Sequence, residues 1–534
     1  MTRTFLITSG AYVEPELEAE FGRLPPAFLP LGSRRLFQHQ RAIIGDFASR
    51  MLLSLPESFA VDEADRALLQ ELEIETIFVP EGLSLGESLI YVINVTAVAG
   101  APLSILHGDT LLRGLDFQAV DAVSVEASPP PSYRWGFASA EGGVVRITPG
   151  GKAGPNDHAL SGYFSFASTA LLVQAVTRRG GDFLAGLMEY ADTRSMAPLA
   201  AAEWLDFGHA GTYHQSRRRV TTEREFNRLT ATRRTVVKSG TAPAKLEAEA
   251  RWFEGMPPAL RLYAPAYLGR KSAEQDFSYE LEYLHLPTLA DLFVFGRLRR
   301  EAWDGIFQAC DEFLSRCAEY PGGMEATEGA QGLYLEKTLH RLHVYARNEG
   351  IDLNAPCRFN GAWLPSLEQM VALAAQAVPA PLAKHLMLVH GDFCFSNILY
   401  DTRASMIRVI DPRGVDSAGR FSIHGDIRYD IGKLYHSAVG LYDYIIAGNC
   451  HVRRRGATDL ILELPDTPAL RQIRSSFLGS RFADLTPQEA GAPAIATLLF
   501  FSMLPLHSDD KNRQNALLAN GMRLFLELDR QIGG

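Results

Sequence analysis

The segment His390-Gly391-Asp392-Phe393-Cys394-Phe395-Ser396-Asn397 sets an aspartate and an asparagine five residues apart on what reads as one loop. That spacing suits transfer of a phosphoryl group to a hydroxyl. The carboxylate faces the hydroxyl and takes up its proton, while the amide further along reaches a magnesium ion on the nucleotide phosphates. Fourteen residues beyond Asn397, the strand pattern Ile407 to Ile410 ends in Asp411-Pro412-Arg413-Gly414, which offers the metal a second oxygen ligand. Upstream, Val236-Val237-Lys238 closes a strand, and Glu249 lies on the helix pattern that follows. A buried lysine and glutamate paired this way hold nucleotide phosphates in place. Glu247 competes for the same role, because helix phase read from sequence slips by a residue or two. Glu282-Tyr283-Leu284, followed by Pro287, reads as a hinge whose backbone at Glu282 and Leu284 binds adenine. A lone His-Gly-Asp is more often a turn; its register with Asn397, Asp411 and Lys238 argues for a site.

These groups need a particular frame. After residues 215–226 the order of elements is a small strand-rich part, then a helical one. Arg233 to Lys238 and Phe277 to Tyr283 read as strands and Lys245 to Phe253 as the helix between them. Amphipathic patterns such as Trp303 to Tyr320 and Ser366 to Ala377 dominate from Leu289 onward, broken by short strands at Met387 to His390 and Ile407 to Ile410. The plan is two-lobed. Before the boundary, apolar runs at Phe5 to Ile7, Thr76 to Val79, Leu103 to Leu106 and Ala122 to Val125 alternate with helical patterns such as Arg66 to Leu72 and Ser88 to Val98. That alternation predicts an α/β domain with a parallel sheet. Ser128 to Ser132 and Pro149 to Pro155 read as loops, and the arginine-rich stretch Ser216 to Arg224 as a connector.

The chain from 226 to 534 resembles the aminoglycoside phosphotransferase and choline kinase group, through His390 to Asn397, Asp411 and Lys238 in that family's order. The resemblance implies a bilobal α+β, protein-kinase-like fold with a smaller lobe at 226–287 and a larger one at 288–534. It also implies Asp392 as catalytic base, Asn397 and Asp411 as Mg2+ ligands, and Lys238 with Glu249 at the ATP phosphates. No glycine-rich loop precedes Lys238; Phe226-Asn227-Arg228-Leu229 stands there, so a short turn is expected to cover the phosphates. In the polar cluster Asp426, Arg428, Tyr429, Asp430 and Lys433, Asp430 reads first as a support of the catalytic loop. Pro505 to Asp510 either lines the acceptor pocket or caps a helix at Ser508. A choline or ethanolamine acceptor would call on aromatic side chains, with Trp303, Trp363 and Tyr429 available.

Residues 1–220 look like the nucleotidyltransferases that join a sugar phosphate or phosphocholine to a nucleoside triphosphate. Leu24 to Leu31, His107-Gly108-Asp109 and Glu203-Trp204-Leu205-Asp206-Phe207-Gly208 carry the likeness. It implies a Rossmann-like fold and magnesium held by Asp109 and Asp206 between CTP, or another nucleoside triphosphate, and the phosphate substrate. The family's opening loop is glycine-rich and followed by Pro-Lys. This chain has Thr8-Ser9-Gly10-Ala11-Tyr12 and then Pro26 where the lysine belongs, so Arg23, Arg34 or Arg35 is the candidate replacement cation. Gly86-Glu87-Ser88 falls where the family's loop nears the nucleotide, or simply at a helix N-terminus, and Gly162-Tyr163-Phe164 where a strand faces the sugar phosphate.

Length and composition fit this division. A chain of 534 residues exceeds one ordinary core, and 47% hydrophobic with 21% charged residues is the mixture of a folded protein. A formal charge of -10 argues against nucleic acid as the main partner. Five cysteines without a CxxC pair fit a reducing compartment. Met1 to Gly10 reads as a strand rather than a signal peptide, and Asn94, Gly100 and Pro102 interrupt the charge-free run Leu89 to Leu106, so no membrane insertion is expected and the location is read as cytoplasmic. The expected activity is bifunctional: MgATP-dependent phosphorylation of a sugar, polyol or amino alcohol, then activation of that phosphate as a nucleoside diphosphate derivative for surface polysaccharide (capsule) or lipid synthesis. The alternative is a kinase whose N-terminal domain only senses a nucleotide or sugar phosphate. A scaffold without turnover is a third reading. Sequence leaves acceptor and oligomeric state open.

Overall fold

A computed structural model describes residues 3–127, 129, 133, 135–141, 144–148, 157–220, 227–240, 243–272, 277–323, 334–416 and 418–532. The loops expected at Ser128 to Ser132 and Pro149 to Pro155, as well as Phe226, fall largely or wholly outside these residues. The chain divides into two compact units, Met1–Val220 with Phe295–Arg297, and Thr221–Val294 with Leu298–Gly534.

In the first unit, Thr4–Thr8 pairs in parallel with Arg50–Pro56 on one side and Leu103–His107 on the other, and Ile74–Val79 extends the sheet beyond Arg50–Pro56. Phe5, Leu6 and Ile7 are all buried, as befits a strand covered on both faces. Asp157–Phe166 then runs antiparallel to Leu103–His107, so the sheet is mixed rather than wholly parallel. Leu89, Val92 and Ile93 of helix Leu85–Thr96 pack with Leu172 and Val176 of helix Thr169–Arg178 on Leu6, Leu52 and Ile105 of the sheet. The arginine-rich stretch is not a free connector up to Arg219. It continues helix Ala210–Arg219, which buries Tyr213 and His214 and bonds Ser216 Oγ to the Asp206 carbonyl at 2.7 Å. Residues 221–224 of that stretch lie outside the described residues.

The second unit opens with a four-stranded antiparallel sheet in the order Asn227–Ala231, Thr235–Gly240, Phe277–Glu282, Tyr267–Ser272. Helix Pro243–Gly255 covers it, with Trp252 and Phe253 buried. The expected turn at Asn227-Arg228-Leu229 is instead an extended strand, because it pairs residue by residue with Leu229 opposite Lys238. The turn comes later, at Thr232 to Arg234, where the Thr232 hydroxyl accepts the Thr235 N–H at 3.0 Å. The larger part is helical. Ala492–Ser502, buried along its whole length, is the central rod against which Ile427–Ala438 and Lys511–Ile532 pack. Asp510, not Ser508, caps the last helix, accepting the Arg513 N–H at 3.0 Å. All five cysteines are free thiols, and no described helix is long and apolar enough to cross a membrane.

Candidate functional site

The loop carrying Asp392 is fixed from several sides. Gly391 adopts φ +78°, where a side chain is strained, and a β-carbon there would stand 2.7 Å from Arg413 Cβ. Asp430, fully buried on helix Ile427–Ala438, accepts the His390 and Gly391 N–H groups, each at 2.8 Å. Burial pushes its carboxyl up to about 7, so this acid is a clamp whose charge is costly to keep. His390 donates from Nε2 to the Ile410 carbonyl at 3.0 Å and accepts the Asp392 N–H on Nδ1 at 3.3 Å. Those two bonds select the neutral Nε2–H tautomer, and burial holds the ring down to about 4.

Asp392 itself is met by Lys433 Nζ at 2.7 Å and by Asn397 Nδ2 at 2.9 Å. Burial would raise its carboxyl, but the Lys433 ammonium beside it outweighs this and holds it well below the usual carboxylate range. Because Asn397 donates its NH2 to Asp392, its amide oxygen, which accepts the Ser396 hydroxyl at 3.4 Å, is the end with a lone pair to offer a cation. Asp411, at φ +58°, follows the strand Met406–Val409 and lies 3.0 Å from Lys238 Nζ. Lys238 also pairs with Glu249, which in turn accepts the Tyr279 hydroxyl at 2.7 Å. Burial opposes the charge on Lys238, yet Asp411 and Glu249 keep it firmly protonated. Glu249 is 1% exposed, whereas Glu247 is turned outward to Arg251 at 2.7 Å, which decides between the two glutamates. At the hinge, Glu282 donates its N–H to Ala266 O at 2.9 Å, so its donor is committed within the sheet. Leu284 makes no backbone hydrogen bond among the described residues.

The first unit builds a separate cavity of about 660 Å3 lined by His107, Asp109, Trp135, Gly162, Phe164, Trp204, Asp206 and His209, among others. Asp109 follows the end of strand Leu103–His107, and the pairing of Thr110–Arg113 with Glu203–Asp206 sets Asp206 opposite Thr110. The two carboxylates flank one small space: a β-carbon at Gly208 would lie 2.8 Å from Asp109 Oδ2 and 3.5 Å from Asp206 Oδ1. Burial raises the Asp109 carboxyl, and Asp206 raises it further. His209, its pKa raised chiefly by Asp206, stacks on Tyr133 with centroids 3.9 Å apart. Asp206 Oδ2, His209 Nδ1, His107 Nε2 and Trp204 Nε1 are buried without a hydrogen-bond partner among the described residues.

No protein-family model matches the chain, and no curated protein matches it. Solved structures similar to it include two that align with different parts of the chain. The inositol-1-phosphate CTP transferase from T. maritima aligns over 41% of this chain and 96% of its own, at 14% identity and a TM-score of 0.32. A thermostable mutant of aminoglycoside phosphotransferase APH(4)-Ia aligns over 59% of this chain and 94% of its own, at 16% identity and a TM-score of 0.37. At such identities and TM-scores, substrate and activity rest on the residues themselves.

Both sites fit a magnesium ion by the chemistry of their donors. Asp411 and the Asn397 amide oxygen would supply hard oxygen ligands in one, and Asp109 Oδ2 with Asp206 Oδ1, which flank the same gap at Gly208, in the other. Among the described residues no group of three His, Cys, Asp or Glu is arranged to hold a metal alone, so phosphate and water would complete the shell.

Other sequence expectations separate here. Arg35 cannot serve pyrophosphate, because its guanidinium is buried against Asp65 at 2.8 Å and the Phe28 and Phe295 carbonyls. Arg34 is exposed, and Arg23 lies over the Tyr12 ring at 4.0 Å, paired with Glu81. Gly86-Glu87-Ser88 belongs to a helix N-terminus, where Ser84 and Glu87 form a capping box, and Ser84, Leu85 and Glu87 also line the cavity. Gly162 and Phe164 line the cavity while Tyr163 points into the core. Trp303, Trp363 and Tyr429 do not form one cage: Trp303 is core, Trp363 is 71% exposed, and Tyr429 is surrounded by cations. Lys433 stood in the sequence only as a member of a polar cluster; its spacing of three from Asp430 on one helix was the available signal. Lys337, His209 and Trp135 carried none.

Proposed function

We propose that this chain is a cytoplasmic two-site transferase. One site phosphorylates a small hydroxyl compound, a sugar, polyol or amino alcohol, with MgATP. The other joins the resulting phosphate to a nucleotide, from CTP or another nucleoside triphosphate, for surface polysaccharide (capsule) or lipid synthesis. The observation that carries the reading is the convergence of Lys238, Glu249 and Asp411 in the unit that also holds Asp392 against Asn397 on a loop clamped by Asp430.

In the kinase step the acceptor oxygen bonds to the γ-phosphorus, the bond from that phosphorus to the bridging oxygen of ADP breaks, and the hydroxyl proton passes to Asp392. Lys238 binds phosphate oxygens, kept charged by its two carboxylates. Magnesium, held by Asp411 and Asn397, would neutralise charge on the transferred phosphoryl group. A kinase makes the kind of substrate that a nucleotidyltransferase consumes, and tethering keeps the intermediate at high local concentration.

A second reading, in which the first unit is a sensor, is favoured by Pro26 in place of lysine and by the commitment of Arg35 to packing. One assay separates them. Wild type, Asp392→Asn and Asp109→Asn are given MgATP, a panel of sugars, polyols and amino alcohols, and CTP, UTP or GTP, with ADP and pyrophosphate followed separately. Asp392-dependent ADP followed by Asp109-dependent pyrophosphate is the expected result. ADP without pyrophosphate supports the sensor, and no ADP with any acceptor refutes the kinase.

A further inference from the structure

Around the Tyr429 ring, on the helix that clamps the Asp392 loop, three cations gather: Arg413 Cζ at 5.7 Å, Lys337 Nζ at 5.8 Å and Lys433 Nζ at 6.0 Å from its centroid. Arg341, one turn beyond Lys337 on helix Leu335–Glu349, adds its charge to the same field. Only Lys433 has a carboxylate partner there, Asp392 itself. Of the other acids near this cluster, Asp426 is taken by Arg428 in a fully buried pair, Asp430 by the His390 and Gly391 N–H groups, and Asp411 pairs with Lys238. Lys337 and Arg413 make no ion pair among the described residues. The crowding is felt: burial, then Arg413, Arg341 and Lys433, bring the Lys337 ammonium down to about 8, and the cations bring the Tyr429 phenol down to about 8 against its burial. Arg413 is anchored beside the reaction centre, since its Cβ packs on Gly391, the residue before Asp392.

Unpaired cations in a recess are costly unless an anion joins them, and a cationic or neutral acceptor would leave that cost in place. We propose that the acceptor carries an anionic group, a carboxylate or a phosphate ester, which Lys337 and Arg413 bind beside Tyr429 while the acceptor hydroxyl faces Asp392. This rests on the kinase reading of Asp392. The transfer is the one written above, so the product leaves with two anionic groups and ADP is released with the hydroxyl proton. Arginine and lysine divide the work, the planar fork engaging two oxygens and the ammonium serving as a point charge. The surroundings of Tyr429 agree: among the described residues its ring meets one other ring, Tyr334 at 6.3 Å, and cations that belong to the protein.

The test uses the full chain with MgATP and sets of acceptors matched in their hydroxyls: glycerol, glycerate and glycerol 3-phosphate against serinol, and glucose, glucuronate and glucose 6-phosphate against glucosamine. An anionic member is expected to exceed its neutral and cationic counterparts by about a hundredfold in kcat/KM, the size of one or two charge-assisted hydrogen bonds. Hydroxy acids and phosphate esters are separate arms, so the preferred anion is identified. Lys337→Met and Arg413→Met should each raise KM for that acceptor about tenfold or more with KM for ATP unchanged, and Lys337→Arg should restore most of the loss. Preference for a neutral or amino acceptor overturns the proposal, as does a rise in KM for ATP alone in the two variants. Slow ATP hydrolysis without acceptor, in wild type and Asp411→Asn, keeps the two readings apart. If hydrolysis depends on Asp411 and no anionic acceptor is used, the acceptor inference falls and the kinase stands; if no Asp411-dependent ATP consumption occurs, both fall.

Discussion

The two sites differ in where their buried charges find partners. In the second unit Lys238 sits between Glu249 and Asp411, Asp392 between Lys433 and Asn397, and Asp430 beneath two backbone N–H groups. In the first unit Asp109 and Asp206 crowd one space; Asp206 Oδ2 and His209 Nδ1 meet only as a long ion pair at 3.7 Å, and His107 Nε2 and Trp204 Nε1 have no hydrogen-bond partner among the described residues. Each such atom costs about 1–3 kcal/mol until a ligand supplies the missing bond. The second site is therefore organised before its substrates arrive, whereas the first is completed by what it binds. Organisation at a site can be present in the free chain or deferred to the complex, and one chain holds both arrangements.

The largest effect should come from Asp392→Asn. Removing the proposed base should lower the rate of ADP formation by about 10²–10⁴-fold, while pyrophosphate release from a preformed acceptor phosphate stays at the wild-type rate. A parallel fall in pyrophosphate would break the comparison by tying the sites together. Next, Lys238→Met leaves the buried Glu249 carboxylate beside the part-exposed one of Asp411 with no cation between them. It should cost about 3–5 kcal/mol of stability in urea denaturation and weaken ATP binding. Preserved stability would mean the second site is not held by its own charges.

The third effect is a pH dependence. His390 has an ordinary value of 6.5 and is held to about 4 in the folded chain, so between those values the unfolded chain binds more protons and stability rises with pH. Its contribution is complete above about pH 6.5 and is lost as pH falls toward 4, about 3 kcal/mol in all. Asp430 titrates at about 7 with the opposite sign, but it is common to wild type and His390→Gln. The stability gap between those two chains should accordingly narrow on going from pH 7.5 to 4.5, and a constant gap would refute the neutral tautomer. The smallest effect sharpens the contrast from the other side. Without metal, Asp206→Asn should raise the stability of the first unit by about 1 kcal/mol, because it removes one of two crowded charges. Millimolar magnesium should then stabilise wild type and leave this variant unmoved.

The fold and the geometry of the Asp392 loop were legible because their determinants are local in sequence. Asp392 and Asn397 share one loop, Asp411 ends the next strand pair, and the α/β rhythm of the first unit follows hydrophobic periods that burial reproduces, Phe5 to Ile7 among them. What stayed hidden depends on long-range packing. Arg35 and Arg34 look alike as residues, and only the buried Asp65 makes one of them structural. Phe226 to Leu229 was expected to turn because no glycine-rich pattern precedes Lys238, but pairing with Thr235–Gly240 extends Asn227–Ala231. Lys337 meets Arg413 and Lys433 only when helices far apart in the chain are brought to one ring.

Gly414, at φ +66°, passes so close to helix Pro243–Gly255 that a β-carbon there would collide with the carbonyl oxygen of Ala248, the neighbour of Glu249. The loop bearing Asp411 and the helix bearing Glu249 are thereby interlocked by backbone rather than by side chains. An off-state made by swinging that helix outward would have to carry the Asp411 loop along with it. On the proposed kinase reading, control should accordingly act through substrate supply and product occupancy, and a destabilised helix would register as lost protein rather than as a regulated intermediate.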